Sequence, residues 1–469
     1  MRQIWLIGLL ALWAATAADA ALAQGPISAP GPTLNEIEQA RNTYIFQFQP
    51  DIPADQAADK ANEMASFAGG AIRHVYTTAL LGFAMTVPEE ALQKLMDEFD
   101  ELAGFERDRI LRMVEPAKCA DDPSAPGCSG DGGGGDVGAT AIGCSVGSAS
   151  EYPWGVDRVD AEKAHGGGQC GSNIHAYVLD TGIDLAHADL QPIAKSVDCT
   201  RRGGCRTGGN DDNGHGTHVA GSIGARVNNQ GVVGVAPAVD LHSVKVLRKT
   251  GIGFLSDIIA GIDWVAVQVG QNGYGGKAVA NMSLGGSGSK TGTCSASGFS
   301  GSDAFHKAIC NATRVGVVFV VAAGNDGKNS AGFVPAAYDD TVVTVSATFG
   351  DKLGPDDGDT TPDDGWPSWS NFGSVVDIAA PGVNIVSTRL GGGTTTLSGT
   401  SMASPHAAGG VALYLGRTSQ SATYTAFTNA RSALLSTAED SSVFSDPTTS
   451  ASHDEGFLNA CALAGQSGC

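Results

Sequence analysis

From Tyr152 to about Leu415 the chain repeats one pattern: short apolar, β-branched runs alternate with helix-length segments. Strands are expected at Ile174–Leu179, Leu241–Leu247, Ala278–Ser283, Val315–Ala322, Thr341–Ser346 and Val375–Ile378. Helices are expected at Gly216–Ala225, Ser256–Gln268, Ser302–Ala312 and Ser401–Leu415. Continuous apolar runs, unlike alternating ones, need cover on both faces. The expected fold class is therefore α/β: a central, mostly parallel sheet between two helical layers. In such sheets ligands bind at the carboxyl ends of the strands. The chain has 469 residues, of which 42% are hydrophobic, enough for a large core.

The first hundred residues read differently. Arg2 precedes an uncharged apolar run from Ile4 to Ala18, and small residues follow at Ala18-Asp19-Ala20 and Ala21-Leu22-Ala23. The run is shorter than the ~20 residues that span a bilayer. Residues 1–23 are thus expected to be a cleaved signal peptide, with the product periplasmic or extracellular and off the membrane. Residues 24–116 hold a compact α+β unit. Its order of strands and helices is β-α-β-β-α-β, the ferredoxin-like pattern, with Arg109–Val114 as its last strand. Residues 117–150, which include Asp131-Gly132-Gly133-Gly134-Gly135-Asp136, read as a linker open to proteolysis. Residues 417–469 carry a helix near Thr425–Thr437 and a tail with Cys461 and Cys469.

All ten cysteines follow the signal segment, which in an exported chain suggests disulfides. Short loops close at low entropic cost, so neighbours are expected to pair: Cys119–Cys128, Cys144–Cys170, Cys199–Cys205, Cys294–Cys310 and Cys461–Cys469. The formal charge is −21, from 28 basic and 49 acidic residues. That balance argues against nucleic acid and anionic membranes as partners.

Three short segments place reactive side chains at strand ends or helix starts. Asp180 closes the apolar strand before Thr181-Gly182. His215 opens a helix in Asn213-Gly214-His215-Gly216-Thr217-His218. Ser401 opens another in Ser398-Gly399-Thr400-Ser401-Met402-Ala403-Ser404-Pro405. Singly, each has a bland alternative: a turn aspartate, a metal-binding histidine pair, a helix N-cap. Together they supply an orienting acid, a base and a nucleophile.

With these flanks, the order Asp, His, Ser resembles the subtilisin-like serine proteases over about Tyr152 to Leu415. The resemblance implies a serine endopeptidase of the proteinase K/subtilisin type with Asp180, His215 and Ser401 as its triad. It assigns Asn325 to the oxyanion hole. It places an extended substrate between Gly251-Ile252-Gly253 and Ser283-Leu284-Gly285, with protein or peptide as substrate and broad specificity. Asp326 could reach the first specificity pocket, or could be a solvated rim carboxylate. Structural calcium is implied at Asp189 and Asn228 with carbonyls of Arg226, Gln230 and Val232. A second set would use Asp377 with carbonyls of Asp340 and Val342. No catalytic cofactor is implied. The aspartate-rich insert from Asp351 to Asp364 reads as a solvated loop or a further calcium site.

The unit at 24–116 resembles the inhibitory propeptide of that family (the I9 type). It implies a monomeric zymogen that processes itself, with the mature start between Ala117 and Tyr152. The catalytic domain is expected at 151–416. Rival readings are a catalytically silent binding protein of the same fold and an esterase, although Ser401 lacks the G-x-S-x-G elbow.

Overall fold

A computed structural model describes residues 31–114, 152–350, 364–442, 444 and 453–469. Its N-terminal unit runs α1 (Leu34–Arg41), β1 (Thr43–Phe48), α2 (Ala57–Ala68), β2 (Ala71–Tyr76), β3 (Gly82–Thr86), α3 (Leu92–Glu98) and β4 (Leu102–Arg107). These strands form an antiparallel sheet in the order β2-β3-β1-β4. Every residue of β1 is buried, because both of its faces are covered. Phe46, Phe48 and Phe83 pack with Met64 of α2 and Leu95 of α3. Ile45, Tyr76, Leu80 and Ala84 join a core cluster of the larger unit instead.

The larger unit is built on β6 (His175–Asp180), β7 (Ile193–Asp198), β8 (Asp240–Lys245), β10 (Ala278–Met282), β12 (Val317–Ala322), β13 (Val342–Gly350) and β14 (Ile378–Pro381). All pair in parallel, in the spatial order β7-β8-β6-β10-β12-β13-β14. Successive residues of β6 face opposite layers. Ala176 and Val178 meet α4 (His215–Gly224) and α7 (Thr400–Arg417) through Val219, Ile223, Met402 and Val411. Tyr177 and Leu179 meet α5 (Leu255–Asn272) and α6 (Ala304–Arg314) through Ile258, Ile262 and Phe305. Strand order turns back at β6 and β10, so a crevice opens at their carboxyl ends. A further helix, α8 (Thr425–Thr437), lies where the apolar spacing predicts.

Three expectations are corrected. The last strand of the N-terminal sheet is β4, not Arg109–Val114. The chain leaves that sheet at Asp108, and β5 (Ile110–Met113) pairs with the larger unit. The strand expected at Val375–Ile378 is β14, starting at Ile378, since Asp377 is taken up by side-chain bonds. Strand β7 was not expected. Lys195 and Ser196 interrupt its apolar pattern because the strand is only half covered.

The bridges Cys199–Cys205, Cys294–Cys310 and Cys461–Cys469 are formed. Cys170 is also disulfide-bonded. Cys119, Cys128 and Cys144 lie outside the described residues, as do the signal segment, the linker and the insert up to Asp363. Among the described residues no helix is long and apolar enough to cross a membrane.

Candidate active site

Asp180, the last residue of β6, accepts from the ring of His215 through both carboxylate oxygens, at 2.8 and 3.0 Å from Nδ1. The Thr181 N–H also donates to its Oδ1, at 2.6 Å. This close packing needs a glycine after His215: a Cβ on Gly216 would fall 2.1 Å from the Gly182 carbonyl oxygen. Asp211, which sequence reasoning missed, fastens the loop before α4. Its carboxylate accepts from the N–H groups of Asn213, Gly214 and Thr217 and from the hydroxyls of Thr181 and Thr217. The Thr181 hydroxyl in turn accepts from the Gly216 N–H. His218 is no metal partner for His215. It is fully buried, it bonds the Ile385 carbonyl, and burial pulls its pKa down to about 3.

Ser401 stands in the first turn of α7, where backbone N–H groups lack helical partners and the helix dipole favours an anion. A relay of side chains pins it to β10. Ser404 donates to Asn281, Asn281 to the Ser283 hydroxyl, and that hydroxyl to the Ser401 carbonyl. Asn325 accepts from both the N–H and the hydroxyl of Thr400, each at 2.9 Å. Its side-chain oxygen is therefore turned to Thr400, and its NH2 is the end that can donate across the crevice. Gly324, before it, has φ +111°, and a Cβ there would fall 2.3 Å from Nδ2 of Asn371. Asn371 belongs to the site's frame through bonds to Ala323, Asp326 and Lys328.

The crevice is filled by the chain itself. Strand β5 lies antiparallel between β9 (Ile252–Phe254) and β11 (Leu284–Ser287). The Met113 N–H donates to Gly251 O at 2.8 Å, and the Val114 N–H to Ser283 O at 3.0 Å. Gly251, Ile252, Gly253, Ser283, Leu284 and Gly285 thus all sit against the inserted strand. The Ser401 hydroxyl donates to Val114 O at 2.7 Å. It makes no hydrogen bond to His215, whose Nε2 is buried without a partner among the described residues. Asp326 is exposed at the rim, with its N–H held by Asn371.

The N-terminal unit is anchored by polar contacts at two helices, α5 and α6. Asp108 accepts from the N–H and hydroxyl of Ser256 at the start of α5, and Glu106 accepts from Ala304 N–H at the start of α6. Both carboxylates suit a helix N-terminus, but burial pushes Glu106 up to about 7 and Asp108 up to about 6. Asp263 of α5 accepts from the N–H groups of Thr77, Thr78 and Ala79. Buried Asp257 of α5 takes two bonds from Arg73, one from His74 and one from Arg248. Burial opposes its charge, yet these partners hold its carboxyl below the usual range. His74 is pulled down by burial despite Asp257.

The two implied cation sets differ. Asp189 is buried, and its Oδ2 accepts from Val232 N–H at 2.9 Å while its Oδ1 has no hydrogen-bond partner among the described residues. Burial pushes its carboxyl up to about 6 against the Val232 N–H and the Asn228 amide. An orphaned buried carboxylate oxygen suits a hard cation, while the Asn228 side-chain oxygen already accepts from the Gln230 N–H. The Arg226 guanidinium donates to carbonyls of Pro237, Val239 and Pro192, although its charge still acts on Asp189. The second set does not fit. Asp377 is paired with Arg431 at 2.5 Å, and the Asp340 carbonyl accepts from the Tyr424 hydroxyl. A guanidinium supplies the positive charge there instead. Asp364 is likewise engaged, by Arg158.

Residues 171–460 match the subtilase family (Peptidase_S8). The chain belongs to that family. It is 36% identical over 355 residues to the extracellular serine proteinase of Thermus sp. (strain Rt41A), covering 74% of this chain and 69% of that one. It is 38% identical over 273 residues to subtilisin DY of Bacillus licheniformis, covering 57% and 86%. Among solved structures it is similar to a cold adapted subtilisin-like serine proteinase. The TM-score is 0.52 and the identity 34%, covering 66% of this chain and 98% of that one. This subtilase is a serine-type endopeptidase, with proteins or peptides as substrates.

Proposed function

We propose that this subtilase is exported as a zymogen, that Asp180, His215 and Ser401 are its triad, and that residues 24–116 are its inhibitor and first substrate. The observation that carries the reading is the meeting of Val114 with Ser401: the hydroxyl lies 2.7 Å from the carbonyl oxygen. The Val114 N–H is meanwhile held by Ser283, and the strand before it is zipped between two edges. A peptide held this way presents one carbonyl to one nucleophile.

In the reaction, rotation about the Ser401 side chain turns its hydroxyl from the Val114 oxygen toward His215 Nε2. Oγ then attacks the Val114 carbonyl carbon and His215 takes the proton. Asp180 holds the ring's tautomer and steadies its positive charge. The Asn325 amide and the Ser401 N–H stabilise the tetrahedral oxyanion. Collapse breaks the bond to Glu115, whose nitrogen takes the proton from His215. Water then frees the acyl group by the same steps in reverse. The first cut therefore falls at Val114–Glu115, upstream of the linker, and a mature start between Ala117 and Tyr152 needs later trimming. Sequencing the first new N-terminus tests this. Glu115 is expected; a first cut anywhere else rejects the assigned bond.

After that cut the fragment stays docked. Glu106 is near its ordinary pKa when free and about 7 when docked, so the docked form binds a proton. Affinity gained this way is complete at low pH and fades as pH rises through about 7. His74 is pulled down when docked, so its free form binds more protons and it works in the opposite direction near pH 6.5. The Glu106 contribution by itself should weaken docking about fourfold between pH 6.5 and pH 8. Gel filtration of the cut complex, wild type against Glu106→Gln at both pH values, measures that contribution as the change in their affinity ratio.

Asp189 and Asn228, with carbonyls of Arg226, Gln230 and Val232, would hold a structural calcium ion. A cation present at a hundred times its dissociation constant adds about 2.7 kcal/mol. Chelator should therefore shorten the thermal half-life of wild type but not of Asp189→Ala. Export itself rests on the residues before Gln24 and on the relative described as extracellular.

A further inference from the structure

Beside the cleft lies a cavity of about 520 Å³ whose charge is opposite to that of the chain. Its walls carry Arg201, Arg206, Lys245, Arg248 and Lys249, against the acids Asp198 and Asp212. Asp198 pairs with Arg201 at 2.9 Å, and Asp212 with Lys245 at 2.7 Å. Arg248 shares the buried Asp257 with Arg73. Arg206 donates only to the Arg202 carbonyl, and Lys249 makes no ion pair among the described residues. Positive charge is left over in a concave wall, where focusing strengthens attraction for an anion.

The cavity shares backbone with the cleft. Lys245 ends β8 beside Asp180 and donates to Thr181 O at 2.6 Å. Arg248 and Lys249 form the turn that ends at Gly251, whose carbonyl accepts the Met113 N–H. The Asn213 side chain, two residues before His215, donates to the Lys249 carbonyl. The Cys199–Cys205 bridge holds the outer wall, which Arg73 also touches at Thr200 and Gly203.

We propose that this cavity is an anion site for the substrate, taking the carboxylate of an acidic residue that precedes the scissile bond. The proposal rests on the protease reading of the cleft and adds a preference to it. Peptides identical except for Asp or Asn, at each of the four positions before the cut, provide the test. At one position the mature enzyme should cut the Asp peptide about fivefold better in kcat/KM, the scale of one effective exposed ion pair. The ratio should shrink in high salt. It should fall to about one in Arg206→Gln/Lys249→Gln and below one in Arg206→Glu/Lys249→Glu, with Asn peptides cut as before. An equal ratio in wild type and both variants overturns the proposal. So does inorganic phosphate binding to wild type and not to the variants with no Asp preference, which would mark a free-anion site. Loss of Asn-peptide cleavage in wild type would instead overturn the protease reading beneath it.

Discussion

A Ser401→Ala chain stays whole. Expressed beside wild type, it should accumulate with residue 115 still joined to Val114, and it should not label with a fluorophosphonate. The expectation follows from what touches Val114. The Ser401 hydroxyl is the group bonded to its carbonyl oxygen, and the Ser283 carbonyl holds its N–H. Removing one oxygen removes the attacking atom while β5 remains paired on both sides. The folded frame should survive, because the relay that pins this turn ends on the Ser401 backbone carbonyl, not on its hydroxyl. Loss of turnover should be about 10⁶-fold, the scale that loss of the serine has in subtilisin itself. Normal maturation of this variant in a protease-free host would show that Ser401 does not make the cut.

Asn325→Ala should lower kcat about 10²–10³-fold with little change in KM, the size found for loss of this kind of donor in subtilisin. The amide matters only when the carbonyl oxygen becomes an anion, so substrate binding is spared. The substitution has a second effect. Thr400 donates its N–H and hydroxyl to Asn325 and would lose both acceptors. Stranded donors of this kind cost about 1–3 kcal/mol each if water cannot reach them. Asn325→Asp separates the two effects, since it keeps an acceptor for Thr400 and removes only the donor. It should melt close to wild type and be at least as slow as Asn325→Ala. If Asn325→Asp retained wild-type kcat, the oxyanion role would fail.

Much of the candidate site was legible because its residues are punctuation marks of the fold. Asp180 ends an apolar strand, and His215 and Ser401 open helices after glycines, so each stands out in a short window. The frame around them was not legible. Asp211 looks like one acid in an Asn-Asp-Asp-Asn turn, and only its five bonds reveal that it shapes the His215 loop. Thr400 is an ordinary hydroxyl residue until its bonds to Asn325 are known, and Ser283 was expected only as a flank of the substrate, not as the support of the Ser401 carbonyl. The Asp377 cation set looked sound because nothing local announces Arg431, 54 positions later, as the occupant. The misplaced last strand has a similar cause. Ile110–Met113 has strand character, but character does not say which sheet a strand joins.

The amino-acid order alone settled the alternation of buried strands and helices, and with it the parallel sheet and the placing of reactive groups at its carboxyl edge. Those properties depend on neighbours a few residues apart, where side-chain volume and backbone preference act directly. The meeting of Val114 with Ser401, 287 positions apart, was decided only in three dimensions. So was the gathering of Arg73, His74 and Arg248 on Asp257, and of unpaired cations around one cavity. Hydrogen bonds and charges act over ångströms of space, so their energies are fixed only when packing sets the distance.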